Sequence, residues 1–297
     1  VGGMLLAACM VARMVQSTVM AATAPAATAY IADITSLDQR TAGMSRLGAA
    51  HNLGTIAGPA IGGALAMISL LAPLYMAAGV TLVTAFFVWR WLPEAPPAVQ
   101  PAGSVATRSE GPGYFDPRVF PFLLIGICLY IGFSVIQQTL GFYIQDRLQI
   151  DGRETAKYTG LAMMIGAVAS LAAQGLAVRL GWSSSRLMGV GLPAMLAGSV
   201  LLLVAEGPWL VALSMVCVGV GAGLTGPGYM AAASRAVEAH EQGAVAGLVS
   251  AAPALGYIVG PLAGTALYQL DPHWPYLFVA VSFTPLIFYA RRTAGRS

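Results

Sequence analysis

Arg13, Gln16 and Ser17 stand close together in a run of mostly apolar residues between Leu5 and Ala22. On a helix, residues three apart share a face, so a guanidinium and an amide point the same way out of an apolar surface. Placing an unpaired Arg at the middle of a bilayer costs at least about 2.5–3.5 kcal/mol on insertion scales. Arg13 is therefore expected to face a polar cavity or a partner group, or else to be a structural Arg that snorkels to a nearby interface. A second polar stripe lies further along. Tyr130, Ser134, Gln137 and Gly141 share a helical face, with Gln138, Phe142 and Tyr143 beside them. Amides next to aromatics suit a large, partly apolar ligand held by stacking and a few hydrogen bonds. The same groups could bond to neighbouring helices instead. Tyr229 is a further cavity candidate.

Gly54, Gly58 and Gly62 follow one another at four-residue intervals, with Pro59 and Gly63 beside them. Small residues on one face let two helices approach closely, and a proline removes one backbone hydrogen bond and bends the helix. The set can act as a hinge and seal, as a close-packing face, or as both.

Other chemical patterns lose their force in context. Gly221, Gly223 and Gly226 fit G-x-G-x-x-G, but a dinucleotide site needs a strand, a turn and a helix there, and this run is apolar throughout. His51, His240 and His273 have no metal-ligand spacing, and Cys9, Cys128 and Cys217 are read as lone packing thiols. No cofactor is expected.

The elements that must carry these residues are membrane helices. Of 297 residues, 57% are hydrophobic and 9% charged, with a mean hydropathy of +0.74. Soluble domains carry about 25% charged residues, so most of this chain must face lipid or itself. A net charge of +3, widely dispersed, gives no footprint for nucleic acid. Segments long and apolar enough to span a bilayer fall near 4–32, 47–70, 72–92, 119–144, 158–178, 187–205, 208–234, 243–269 and 274–290. With the C-terminus inside, the cytoplasmic side holds Arg40, Arg46, Arg90, Arg108, Arg118, Arg179, Arg186, Arg235, Arg291, Arg292 and Arg296. The outer loops hold Arg147, Arg153 and Lys157. That is the positive-inside pattern. Residues 93–118, rich in Pro, Ala, Gly and Ser, read as a cytoplasmic linker.

An internal repeat orders these spans. Shifted by 202 residues without gaps, 23–65 lies on 225–267 with about 14 of 43 positions identical. Pro25, Gly54, Ile56, Gly58, Pro59 and Gly62 fall on Pro227, Gly256, Ile258, Gly260, Pro261 and Gly264. Parallel six-helix repeats with a site between the halves mark one transporter architecture. With three spans before the linker and six after it, roughly 85–95 residues carrying three helices are expected ahead of Val1.

The stretches Arg13-Met-Val-Gln16-Ser17, Ala29-Tyr-Ile-Ala-Asp33 and Gly54-Thr-Ile-Ala-Gly58-Pro59-Ala-Ile-Gly62-Gly63 resemble the major facilitator superfamily. Within it they are most similar to the twelve-span drug:proton antiporters. The first echoes that family's fourth-helix motif R-x-x-Q-G, with Ser17 in place of Gly. The last matches its fifth-helix motif G-x-x-x-G-P-x-x-G-G throughout. The resemblance implies an all-α integral membrane protein of the major facilitator fold, with helices four to twelve of twelve present. Residues 1–92 are then the remainder of the N-terminal half, 93–118 the linker and 119–297 the C-terminal half.

The resemblance also implies roles. Arg13 takes part in proton coupling, with Gln16 and Ser17 beside it. Asp33 pairs with an Arg of the loop between helices two and three as part of an inner gate. Leu176-Ala-Val-Arg179-Leu-Gly181 is the second-half echo of that loop's motif, keeping Arg179 and Gly181 but carrying Val178 where the family prefers Asp. The function it implies is export of drug-like or amphipathic molecules driven by protons, by alternating access. The expected partners are a small-molecule substrate, protons and the lipid bilayer of the cell's inner membrane, with the protein a monomer and not an enzyme. A carrier of a specific metabolite and a non-transporting remnant are the alternatives. No Asp or Glu lies deep in a span, so a coupling carboxylate would have to come from helices ahead of Val1, and 1–297 alone is expected not to transport.

Overall fold

The computed structural model describes residues 2–35, 68–69, 71–93, 112–238 and 241–294, with isolated positions between 47 and 65. Among them the chain is helical, in the order α1 (Gly2–Ala21), α2 (Thr23–Ile34), α3 (Ala72–Trp91), α4 (Phe120–Leu148), α5 (Gly152–Arg179), α6 (Ser184–Leu203), α7 (Pro208–Arg235), α8 (Gln242–Leu270) and α9 (Trp274–Ala294). Six of these, α3 to α8, are long and apolar enough to cross a membrane. The chain forms two compact units, residues 1–55 with 78–105 and residues 56–77 with 106–297. Most of the expected second span, 47–70, and most of the 93–118 linker lie outside the described residues.

In the first unit the expected single span over 4–32 is two helices, broken by a turn at Ala22. Pro25 has no N–H to donate back to the preceding turn, and the Ala22 amide closes a shorter bond to the Val19 carbonyl, 3.3 Å. The repeat partner of this segment is α7, which runs unbroken through Pro227. α3, whose residues from Ala78 onward belong to this unit, is exposed along that whole length and apolar all round. A helix of that kind belongs in lipid or in a bundle core. Its Phe87 and Trp91 rings stack at 4.7 Å between centroids.

The second unit is a six-helix bundle built around α4 and α7. Ile125, Leu129, Ile136, Leu140 and Ile144 of α4 are all but fully buried. α8, α7 and α9 pack on α4, while α5 and α6 pack on α7. Lipid is as apolar as a leucine side chain, so helices here associate by close van der Waals fit rather than by escape from water. Glycines supply that fit. A Cβ on Gly221 would stand 2.7 Å from the Met195 amide nitrogen of α6, and one on Gly198 would stand 2.6 Å from Val218. Gly223 of α7 lies against Ser170 of α5, and Gly219 against the Gly166 backbone. The G-x-G-x-x-G run is thus a helix-packing face.

The helices outrun the apolar stretches that revealed them. α5 begins at Gly152, ahead of the expected 158, because Asp151 caps it by accepting from the Glu154 amide at 2.8 Å. It ends in a Schellman turn: Gly181, at φ +60°, donates to Val178, and the Trp182 amide donates to Ala177 at 3.0 Å. Gly181 is needed there because an L side chain strains at positive φ.

Candidate functional site

α1 presents Met10, Arg13, Met14, Ser17 and Thr18 along an open groove of about 540 Å³. Arg13 Nη1 donates to Gln16 Oε1 at 3.0 Å, so the two polar groups are joined on one side of an apolar helix. Thr18 turns its hydroxyl inward to the Met14 carbonyl, 2.9 Å. Among the described residues no carboxylate pairs with Arg13. The groove therefore offers guanidinium N–H groups, one hydroxyl and two thioethers. That set can hold a polar or anionic atom against a soft, adaptable apolar wall. Met10, Met14 and Thr18 were not singled out from sequence, although their spacing from Arg13 on a helix carries the signal.

The second unit brings three tyrosines from three helices together. The Tyr130 ring of α4 meets Tyr229 of α7 edge-on at 6.4 Å and Tyr257 of α8 at 6.2 Å. Tyr229 is fully buried, its hydroxyl donating to the Val249 carbonyl at 3.3 Å. Its ring fits only because residue 126 is Gly, where a Cβ would meet the ring at 2.5 Å. Tyr130 is half-buried and Tyr257 exposed, so Tyr257 is the ring of the three with the most free surface. Sequence inspection missed Tyr257. Ser134 is buried beneath Gly260, Gln137 is half-buried, and Gln138 and Phe142 are exposed, the last with its ring 5.9 Å from Tyr268.

The glycine set divides. Gly256, Gly260 and Gly264 lie flush on α4, against Tyr130, Ser134 and Val135. Around Gly54, Gly58 and Gly62 a Cβ would meet no described atom within 4 Å. Pro59 and Gly63 lie outside the described residues. Asp33 is in the last turn of α2, with its side chain outside the description. Arg179 is exposed at the end of α5, and Gly181 stops that helix.

One ionic knot was not legible from sequence. Arg118, just before α4, donates to Glu241 Oε1 at 2.8 Å and Oε2 at 3.0 Å, and to Asp116 Oδ2 at 2.8 Å. Glu241 is almost fully buried at the start of α8 and also accepts from the Glu238 amide, 3.0 Å. The Arg118 side chain and amide hold the Asp116 carboxyl below its ordinary range, and the two carboxylates raise Arg118 further. This bidentate clasp fastens the first turn of α4 to that of α8.

Comparison with known proteins supplies the family. The sequence matches the Major Facilitator Superfamily over residues 2–252 and again over 182–295. The chain belongs to that superfamily. It is 25% identical over 265 residues to Multidrug resistance protein 2 of Bacillus subtilis (strain 168), covering 86% of this chain and 64% of the relative. It is 29% identical over 268 residues to the class B Tetracycline resistance protein of Escherichia coli, covering 87% and 65%. The class G Tetracycline resistance protein of Vibrio anguillarum is 30% identical over 270 residues, covering 85% and 65%. The chain thus spans about two thirds of the length of these relatives. As a member of the major facilitator superfamily it is a multi-pass membrane protein of a family of small-molecule transporters, in keeping with its all-helical fold and its apolar helices.

Proposed function

We propose that this protein is a proton-coupled exporter of drug-like or amphipathic small molecules, working by alternating access in the cell's inner membrane, as a monomer with its C-terminus in the cytoplasm. The observation that carries the proposal is Arg13, bonded to Gln16 and lining the open groove of α1 beside Met10 and Met14. A guanidinium in an apolar wall stabilises a nearby carboxylate in its charged form and lowers that group's proton affinity. Movement of a substrate or a helix past Arg13 then changes how tightly the carboxylate holds its proton, which is the coupling an antiporter needs. The names of the relatives, multidrug and tetracycline resistance proteins, favour a drug-like cargo over a metabolite.

The tyrosine cluster supplies the second half's contribution. Tyr130 and Tyr257 offer ring faces and edges to a flat apolar substrate, with Gln137 and Gln138 nearby on α4 for hydrogen bonding. Asp33, Gly54, Gly58, Pro59, Gly62, Gly63 and Arg179 serve the gates between which the two halves alternate.

Expression of the complete gene in a host stripped of its own exporters tests this. Tolerance to a panel of planar cationic and amphipathic drugs rises, and a protonophore abolishes the gain. Unchanged tolerance across the panel, with uptake or release of one sugar, amino acid or organic acid instead, would replace the proposal with a metabolite carrier.

A further inference from the structure

Where α4 ends and α9 begins, a second polar cluster gathers around a histidine. Arg147 Nη2 lies 2.7 Å from His273 Nε2. His273 Nδ1 lies 2.9 Å from Asp271 Oδ1, which also accepts the His273 backbone amide at 2.7 Å. A guanidinium has only donors and an ionised carboxylate only acceptors. Nε2 must then be the bare acceptor and Nδ1 the nitrogen that carries hydrogen, so the ring is neutral in this arrangement. A proton added at Nε2 would set two N–H donors, both on cations, against each other at hydrogen-bonding distance. The Arg147 contact has to part, while the contact to Asp271 gains charge assistance.

The other groups facing His273 decide what that parting would release. From α4, Tyr143 presents its ring edge at 6.4 Å, and Arg147 Nε reaches the Tyr143 hydroxyl at 3.4 Å. That hydroxyl donates to the Leu202 and Ala205 carbonyls at 2.6 and 3.0 Å. From α8, Tyr268 donates to Asp146 of α4 at 2.6 Å. From α9, Tyr276 packs edge-on against Tyr143 at 4.9 Å. Arg147 joins the end of α4 to the α8–α9 connection at His273, beside the Asp146–Tyr268 bond to α8. His273 and Asp271 are 38% and 46% exposed in their side chains, so protons reach the ring from water. The His273 amide and ring also hold the Asp271 carboxyl below its usual range, which keeps it an acceptor in mild acid.

From this geometry we infer that His273 is a proton-binding site, and that its protonation frees Arg147 and loosens the end of α4 from the α8–α9 connection. The inference concerns this end of the second unit and stands whether or not the protein exports drugs.

Amide hydrogen exchange of the purified protein in lipid nanodiscs reads it directly, corrected for the intrinsic pH dependence of exchange. Peptides covering 142–150 and 268–276 are expected to lose protection by roughly fivefold or more between about pH 8 and about pH 5.5. His273→Gln offers Arg147 an acceptor and Asp271 a donor without titrating, so protection should stay high and flat. In Arg147→Gln the new amide can accept from a protonated ring, so the acid step should vanish there too. No acid step in the wild-type peptides, or a step that persists in His273→Gln, overturns the inference. Should a variant not fold, 15N-histidine NMR of the wild-type protein decides: Nδ1–H at about pH 8 supports the site, and Nε2–H refutes it.

Discussion

A Cβ built on Gly260 would come within 2.5 Å of the Ser134 Cβ, so α8 rests on α4 at this pair with no room for a side chain between them. Gly256 and Gly264 continue the same contact one turn to either side, against Tyr130 and Val135. Replacing Gly260 with Val forces the helices apart, an overpacking cost of about 1–3 kcal/mol. Gly247 is on the same helix with open space where a Cβ would sit, so Gly247→Ala should be neutral or slightly stabilising through helix propensity. Thermal unfolding in detergent should show the first variant lowered and the second unchanged or raised.

The Arg118 clasp has a pH signature. Asp116 titrates below its ordinary value in the folded state because Arg118 donates to it. Its contribution is therefore complete above the unfolded value and is lost as pH falls through the lower, folded one. That places the loss below about pH 4. Asp116→Asn should lower the unfolding midpoint at neutral pH, and the gap to the wild type should close in acid. Glu241→Gln should lower the midpoint further, since Glu241 receives both guanidinium nitrogens and the Glu238 amide.

Tyr257 has more free surface than Tyr130, the ring it meets, or Tyr229 beyond it. If substrates stack on it, Tyr257→Ala should weaken export of flat aromatic drugs by roughly two- to thirteenfold, the worth of about 0.5–1.5 kcal/mol for an aromatic pair, and spare non-aromatic amphiphiles. Tyr257→Phe should keep most of the activity. Export assays on a paired panel of substrates check both. Tyr229→Phe, by contrast, removes a buried bond to Val249 and should act on stability.

Much of the second unit was legible because an apolar run of about 20 residues has few solutions besides a membrane helix. Helix ends were not, because that run marks the thickness of the hydrocarbon and not the length of the helix. α5 continues outward through Lys157, Glu154 and Arg153 to its Asp151 cap. The turn at Ala22 was also invisible, since Pro25 and its counterpart Pro227 look alike in sequence while only the first lies beside a break. Arg118 and Glu241 are 123 residues apart, and no periodicity connects them. Tyr257 drew no attention because its repeat partner is Thr55, so the repeat gave it no emphasis. Arg13 and Gln16 were the easiest to find: a charge in an apolar helix demands an explanation, and the third residue on is its neighbour.

Arg13 is proposed to couple proton movement to export. Everted membrane vesicles carrying the product of the complete gene, energised and loaded with a pH-sensitive dye, test it most directly. Adding a transported drug should release protons from the vesicle lumen at a rate that rises with drug concentration. Arg13→Ala should abolish that release. Arg13→Lys should retain only part of it, because a point charge does not reproduce a planar guanidinium. Undiminished, drug-dependent proton release by Arg13→Ala would contradict the account.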